Sequence, residues 1–372
     1  MSARKPAEVF APGEFLRDEL EARGWTQQEL AEILDRPPRL VSEIISAKRA
    51  ITPETAKGLG EAFGTSAEYW MNLESQYQLS KVKTESNIVA RKAKLYTEFP
   101  VRETIRRGWI QASENIEVLE QRFLDFFKIK VIGETPSICH FAKRTNEGSE
   151  ASMLQLAWLF RVKQLAEKQV LTRYSKESLQ LAVEKLKTLL NAPEEARKAP
   201  AILAEAGVRI VFVEAISGSK IDGACFWLSE DKPVIGMTLR FDRIDNFWFV
   251  LRHEIEHILR EDGKNSEGPI IDTNIGEDSS SVIECERLAN QAAQNFCVPD
   301  QQLNDFIARI EPYFSEKKIC AFAQRINIHP GLVVGQIQRH LGRHDFLRKH
   351  QVKIRDIVLS SAIADGWGII PS

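Results

Sequence analysis

The chain has no apolar run long enough to cross a bilayer: its most conspicuous one, Ala151 to Phe160, stops well short of the roughly 20 residues that a spanning helix needs. Cysteine is sparse. The 5 thiols, Cys139, Cys225, Cys285, Cys297 and Cys320, are odd in number and lack paired metal-binding spacing, which argues against a disulfide framework and for reduced thiols in the cytoplasm. No charged leader precedes an apolar core, so secretion is not expected, and no stretch is of low complexity. Nor does charge of either sign dominate: a formal net of -2 over 372 residues favours no class of partner. These absences leave a cytoplasmic globular chain of two or three domains with no membrane partner.

Histidine is scarce as well, 7 in all, yet two stand four apart in His253-Glu254-Ile255-Glu256-His257. On a helix this spacing stacks His253 and His257 on one face, with Glu254 beside them, the HExxH arrangement of zinc-dependent peptide hydrolysis. The apolar pattern of Phe247, Val250, Leu251, Ile255, Ile258 and Leu259 predicts a helix over about 243–261, capped by Asp242 or Asp245 and ended by Gly263. Catalytic zinc takes three protein ligands and keeps one position open. Glu286, followed by Asn290 one turn later, supplies the third in the Glu-x-x-x-(Asp or Asn) spacing of gluzincins, and Asn290 is expected to accept the spare ring proton of a ligand histidine. Glu254 is the expected general base, and His329, in Ile-His-Pro-Gly, the expected extra donor to an oxyanion. The plain alternative is a surface helix carrying an ordinary glutamate.

Through His253 to His257 and then Glu286 to Pro299 (ECERLANQAAQNFCVP with its preceding residues), the chain resembles the ImmA/IrrE family of metallopeptidases. The likeness runs from about Leu203 through Gln338 and includes Lys220 to Ala224 and Asp242 to Phe249. Ala292 departs from the family, which often has Phe there. The resemblance implies a Zn2+-dependent endopeptidase of gluzincin type that cuts a bond in a regulatory protein such as a repressor.

At the other end, residues 14 to 73 read as four or five short helices whose apolar positions are Leu16, Leu20, Leu30, Ala31, Leu34, Val41, Ile44 and Ile45. Thr26 caps one helix, and Asp35-Arg36-Pro37 turns into the next. Thr26 to Ala31, Val41 to Ile45, Lys48 to Thr52 and Gly64 to Leu73 resemble, in order, the XRE or phage-repressor type of helix-turn-helix domain, nearest its HigA and VapI antitoxin branch. The resemblance implies a homodimer on double-stranded operator DNA, with Pro38, Arg39, Ser42 and Glu43 facing bases and Gln27, Lys48, Arg49 and Thr52 holding phosphates. Asp35 stands where the turn often has Gly, and Pro37-Pro38 opens the recognition helix with few donors. Residues 1 to 80 hold 9 Lys/Arg against 13 Asp/Glu, which is acidic for a DNA reader. Residues 81 to 110 reverse the balance, 8 against 3, and either contact phosphate or form a solvated basic connector.

Between the ends, residues 111 to 206 read as helices, with Ser113 and Ser175 as caps, and Val208 to Val213 opens a small sheet. Ala224 to Leu228 and Val234 to Thr238 read as a hairpin whose edge either pairs with an extended substrate or is covered by another element. Leu30 to Ser46 and Phe322 to Gln338 align without a gap, and the second copy is expected to be a structural helix pair because Gly331, Val334 and Gly335 are poor base readers. The expected fold is therefore mainly α with a small sheet (α+β). It comprises a helix-turn-helix domain at 1–80, a basic and helical connector at 81–200, a gluzincin-like metallopeptidase domain at 201–345 and an extension at 346–372. The expected function is a DNA-binding transcriptional regulator carrying a zinc endopeptidase. The alternative is a HigA-like antitoxin or repressor that meets a toxin partner and cuts nothing.

Overall fold

The computed structural model describes residues 9–82, 87–136, 144–145, 151–262, 264, 270–273 and 284–369. Two compact units divide the chain, Met1–Ile88 and Val89–Ser372.

The first unit is all helical: α1 Pro12–Arg23, α2 Gln27–Ile33, α3 Pro38–Ile45, α4 Pro53–Phe63 and α5 Ala67–Lys81. Local chemistry sets these boundaries. Glu29 N–H donates to Thr26 Oγ1 at 3.2 Å, and Thr26 N–H donates to the Glu29 carboxylate at 2.7 Å, a reciprocal box that satisfies two otherwise unpaired amides at the start of α2. Asp35 carries the α2–α3 turn with φ 51, the left-handed conformation that short polar side chains tolerate. All the apolar residues expected in this core are buried except Leu34, which is partly exposed, and Ile51, Ala56, Leu59, Phe63 and Trp70 join them. Gly13 lets α1 rest on the end of α3, since a Cβ there would lie 2.4 Å from the Ile44 carbonyl oxygen.

The second unit opens with α6 Ile88–Glu98, α7 Val101–Arg106, α8 Ile116–Phe127, the two-residue β1 Arg144–Thr145, α9 Met153–Glu167, α10 Lys176–Lys187 and α11 Ala199–Glu205. It continues through β2 Arg209–Val213, β3 Ile221–Trp227, β4 Pro233–Met237, α12 Ile244–Leu259, β5 Ile270–Thr273 and α13 Glu284–Cys297. Helices α14 Asp300–Ile310, α15 Glu316–Arg325, α16 Pro330–Leu341 and α17 Arg355–Leu359 and the short β6 Ala364–Asp365 complete it. The strands form one mixed sheet in the order β1-β5-β3-β4-β2-β6, with β3 antiparallel to both neighbours and β4 parallel to β2. Every residue of β2, β3 and β4 is buried, as in a sheet covered on both faces. The alternation of strand side chains divides the core in two. Ile210, Phe212, Ile235 and Met237 join α12 and the helices after it, whereas Val211, Val213, Phe226 and Val234 join α8 and α9. Each large apolar side chain so buried contributes about 1.5–3 kcal/mol.

Several expectations change here. The β3–β4 hairpin forms, with Ala224 opposite Gly236, but it is flanked by β5 on one side and β2 on the other, so it offers no free edge to an extended peptide. The stretch 81–200 is not a separate connector, because Leu95, Phe99, Trp109, Phe123 and Trp158 share one core with β2 and β3. The extension 346–372 is likewise built in: β6 pairs with β2, and Ile354 and Val358 are fully buried. Among the caps, Asn115 rather than Ser113 starts α8, accepting from the amides of Glu117 and Val118, while Ser175 caps α10 as expected. Helix α12 has no side-chain cap. Asp242 instead accepts from the amides of Ile354 and Arg355, at 3.0 and 2.8 Å, and Asp245 pairs with Arg243. Gly263 lies outside the described residues.

Candidate functional site

Helix α12 lies with one side against β3 and another along α13, and the histidine spacing acquires its meaning from that position. His253, Glu254 and His257 are buried, as is Glu286 in the first turn of α13. His253 Nε2 and His257 Nε2 are 3.0 Å apart, and each faces a Glu286 oxygen, at 3.3 and 3.5 Å respectively. Zinc–ligand bonds of about 2.0–2.1 Å at a tetrahedral angle would set ligand atoms about 3.3 Å apart. Two imidazole nitrogens and a carboxylate that converge at these distances in a buried place fit a divalent cation of that kind.

Glu254, on the same helix, reaches β3 of the sheet. A Cβ on Gly223 of β3 would fall 2.1 Å from Glu254 Oε1, so the missing side chain makes room for this carboxylate. The glycine in Lys220-Ile221-Asp222-Gly223-Ala224 is therefore a space requirement. Beside it, the buried Asp222 carboxylate is held by Arg240 at 3.0 Å.

The structure adds a residue that spacing did not reveal. His257 Nδ1 donates to Asp262 Oδ2 at 3.0 Å, and the Asp262 amide donates back to the His257 carbonyl at 2.9 Å. An ionised carboxylate only accepts, so the ring proton resides on Nδ1 and Nε2 turns its lone pair to the cluster. Trp227 Nε1–H donates to the Asp262 carbonyl at 3.1 Å, tying this loop to β3. Asn290, the expected partner of a ligand histidine, lies one turn beyond Glu286 with its Oδ1 buried and, among the described residues, without a hydrogen-bond partner.

His329 is elsewhere. It caps α16, its Nδ1 accepting from Gly331 N–H at 3.0 Å while its own amide donates to the Leu190 carbonyl at 2.8 Å. Gly331 packs on Ile244, in the first turn of α12, nine residues and about 13 Å of helix before His253. Burial, reinforced by the nearby charge of His350, pushes the His329 imidazole below its usual range, as suits a neutral cap. The expected oxyanion donor is thus a capping residue. The second helix–turn–helix, α15 and α16 joined at Asn327 with φ 56, repeats the α2–α3 turn but is interior: Leu332, Val333, Val334 and Ile337 are buried. A Cβ on Gly335 would sit 2.3 Å from the Asp245 carboxylate.

In the first unit, α2, α3 and the turn between α3 and α4 present the other expected residues. Gln27, Pro38, Arg39, Ser42, Lys48, Arg49 and Thr52 are exposed, and Glu43 is half-buried. Glu43 accepts from Arg39 Nε at 2.6 Å and pairs with Arg49 at 2.9 Å, so one carboxylate organises two arginines; hydrogen bonding from Arg39 holds it below the usual carboxylate range. Thr52 also caps α4, accepting from Thr55 N–H. The basic run beyond residue 81 is largely committed within the second unit. Arg91 pairs with Glu117 and Glu120, Arg106 and Arg107 with Glu103, and Lys94 donates to the Ile132 carbonyl.

Comparison with known proteins bears on the first unit. A family profile described as helix-turn-helix matches residues 16–70. Virulence-associated protein A of Dichelobacter nodosus is 47% identical over 64 residues, 17% of this chain and 63% of that protein, so the chain spans less than two thirds of this relative. Virulence-associated protein I of the same organism is 34% identical over 79 residues, 21% of this chain and 73% of its own length. A solved structure of the antitoxin HigA with the higBA promoter, from Pseudomonas aeruginosa, is 33% identical over 25% of this chain and 98% of that one, with a TM-score of 0.20. Among the described residues no helix is long and apolar enough to cross a membrane. Through its N-terminal unit the chain belongs to the helix-turn-helix family.

Proposed function

We propose that this protein is a DNA-binding regulator whose second unit is a zinc-dependent endopeptidase acting on a regulatory protein. The observation that carries the peptidase reading is the buried convergence of His253, His257 and Glu286, with Glu254 between the two histidines on the same helix. Zinc bound by those three residues would supply Lewis acidity, polarising a scissile carbonyl and acidifying a water. The protein's own groups do the rest. His257 is fixed in its ligand tautomer by Asp262, and Asn290 offers a buried carbonyl oxygen from the helix that carries Glu286. Glu254 takes the proton from the attacking water and returns it to the leaving amine. A scaffold that merely bound metal would need the three ligands but neither Glu254 nor the space that Gly223 leaves for it, which favours the enzyme over a non-proteolytic antitoxin.

Support for the DNA partner is the exposed α3 face with Arg39 and Ser42, with Arg49 in the turn that follows, together with family membership. The printed title of the HigA structure places that protein on a promoter, and we extend this role to the first unit here, as a homodimer on operator DNA.

Two measurements test the reading. Zinc content of the purified full chain should fall by one equivalent in His257→Ala and hold in Glu254→Gln. Comparison of new protein N-termini in cells expressing wild type and Glu254→Gln should then show a cleavage product only with the wild type. Identical profiles, with zinc retained in both, would sink the peptidase. For the reader, Arg39→Ala together with Arg49→Ala should abolish retardation of the DNA upstream of the protein's own gene at low salt; unchanged retardation removes α3 as the contact.

A further inference from the structure

We propose that Glu316, Cys320 and His350 form a second metal site in the same unit, a thiolate-containing one suited to zinc. Glu316 and Cys320 stand one turn apart on α15, and His350 comes from the turn Arg348–His350, on a segment well beyond α16. A Glu316 oxygen, the Cys320 sulfur and a His350 ring nitrogen all lie within 4.8 Å of one another. His350 Nε2 is already 3.0 Å from Glu316 Oε1. Atoms this close suit zinc, which takes Cys sulfur at about 2.3 Å and His nitrogen or carboxylate oxygen at about 2.0–2.2 Å, and water can fill a fourth position.

The scaffold holds these groups without the metal. The His350 carbonyl packs where a Cβ on Gly331 would be, at 2.4 Å, and the amide of Ile244 donates to the Val352 carbonyl at 3.0 Å, so the segment bearing His350 is fixed against the starts of both α16 and α12. Glu316 presents two oxygens with different tasks. Oε2 accepts from Lys349 Nζ at 2.7 Å, and Oε1 faces the histidine. The lysine is mostly exposed and leaves Oε1 open to a cation. All three ligands are partly accessible, unlike the buried His253, His257 and Glu286. Soft thiolate with imidazole and carboxylate selects zinc or its heavier congener cadmium over magnesium or calcium. A metal there would clamp α15 to the chain that leads into α17.

The sulfur distinguishes this site from the other, whose three ligands contain none. Under reducing conditions, Co2+ added to the full-length protein should produce a near-ultraviolet thiolate-to-cobalt charge-transfer band. Cys320→Ser should lose that band while far-ultraviolet circular dichroism stays unchanged, and His257→Ala should keep it. A second readout needs no cysteine variant: zinc should slow alkylation of Cys320, mapped by peptide mass, in the wild type but not in Glu316→Gln or His350→Gln. Absence of the band from the wild type with cobalt bound, its persistence in Cys320→Ser, or alkylation of Cys320 indifferent to zinc would each overturn the site. None of these outcomes depends on peptidase activity.

Discussion

At the scale of single residues, the strongest lever on the proposed zinc site is Asp262, which bonds the ring of His257 and is not itself a proposed ligand. Partners of this kind typically alter metal affinity 10–100-fold, so Asp262→Asn should weaken zinc binding by about that factor, measured by competition with a chromophoric chelator. Cleavage should recover at saturating zinc, which an unfolded variant would not do. Gly223→Ala is the complementary test. Its methyl would displace the Glu254 carboxylate, 2.1 Å away, and leave His253, His257 and Glu286 in place. Zinc content should therefore hold while cleavage is lost; a fully active Gly223→Ala enzyme would show that Glu254 works from another position. Legibility at this scale follows the range of the signal. His253, Glu254, His257 and Glu286 are readable because helical spacing is local and repeats every turn. Asp262 follows the last turn of α12 with no pattern around it, and its partner is visible only once the loop has folded back. His329 is readable as a histidine beside Pro330, and that is the signature of a cap; its place in a site was a matter of folding that no spacing could decide.

At the scale of elements, boundaries are decided by side chains that bond backbone amides, and these are testable one by one. Thr26→Ala removes the hydroxyl that accepts from the Glu29 amide at the start of α2 and leaves the amide of residue 26 still donating to the Glu29 carboxylate. The expected cost is about 1 kcal/mol, within a range of roughly 0.5–2, read as a lower urea midpoint for the first unit at unchanged slope. No change in midpoint would mean that α2 is held by packing of Leu30 and Ala31 alone. Elements with a clear 3.6-residue period, α10 and α12, are legible in the sequence within a few residues, as is the β3–β4 hairpin. The sheet order is not. β5 has four residues, and β1 and β6 two each, and their pairing with distant strands leaves no local trace. The repeated helix–turn–helix shows the same limit from the other side. Asp35 and Asn327 carry equivalent left-handed turns, yet α3 is exposed on one face and α16 is interior, so identical local patterns serve a reader and a core.

At the scale of the whole molecule, the decisive feature is where one unit ends and the next begins. Charge alone would draw the basic segment 81 to 110 toward the DNA reader, but packing assigns it to the second unit: Leu95, Phe99, Val101, Trp109 and Ile110 are buried in the core shared by α8, α9 and the sheet. A fragment of residues 1–110 would expose all five, and at about 25 cal/mol per Å2 of apolar surface returned to water each such side chain forfeits roughly 1.5–3 kcal/mol. A fragment of residues 1–88 strands none of them, because the first unit closes its own core around Leu16, Leu30, Ile44 and Trp70. The shorter fragment should therefore unfold cooperatively and stay dispersed in light scattering, while the longer one binds a hydrophobic dye and aggregates at the same concentration. Residues 89–372 should bind the zinc proposed for His253, His257 and Glu286, and removal of α6 and α7 from that fragment should destabilise it by several kcal/mol even though the two helices are only 11 and 6 residues long. If instead the 1–110 fragment proves the better behaved of the two, α6 and α7 belong with the reader, and the basic residues among them return as candidates for phosphate contacts.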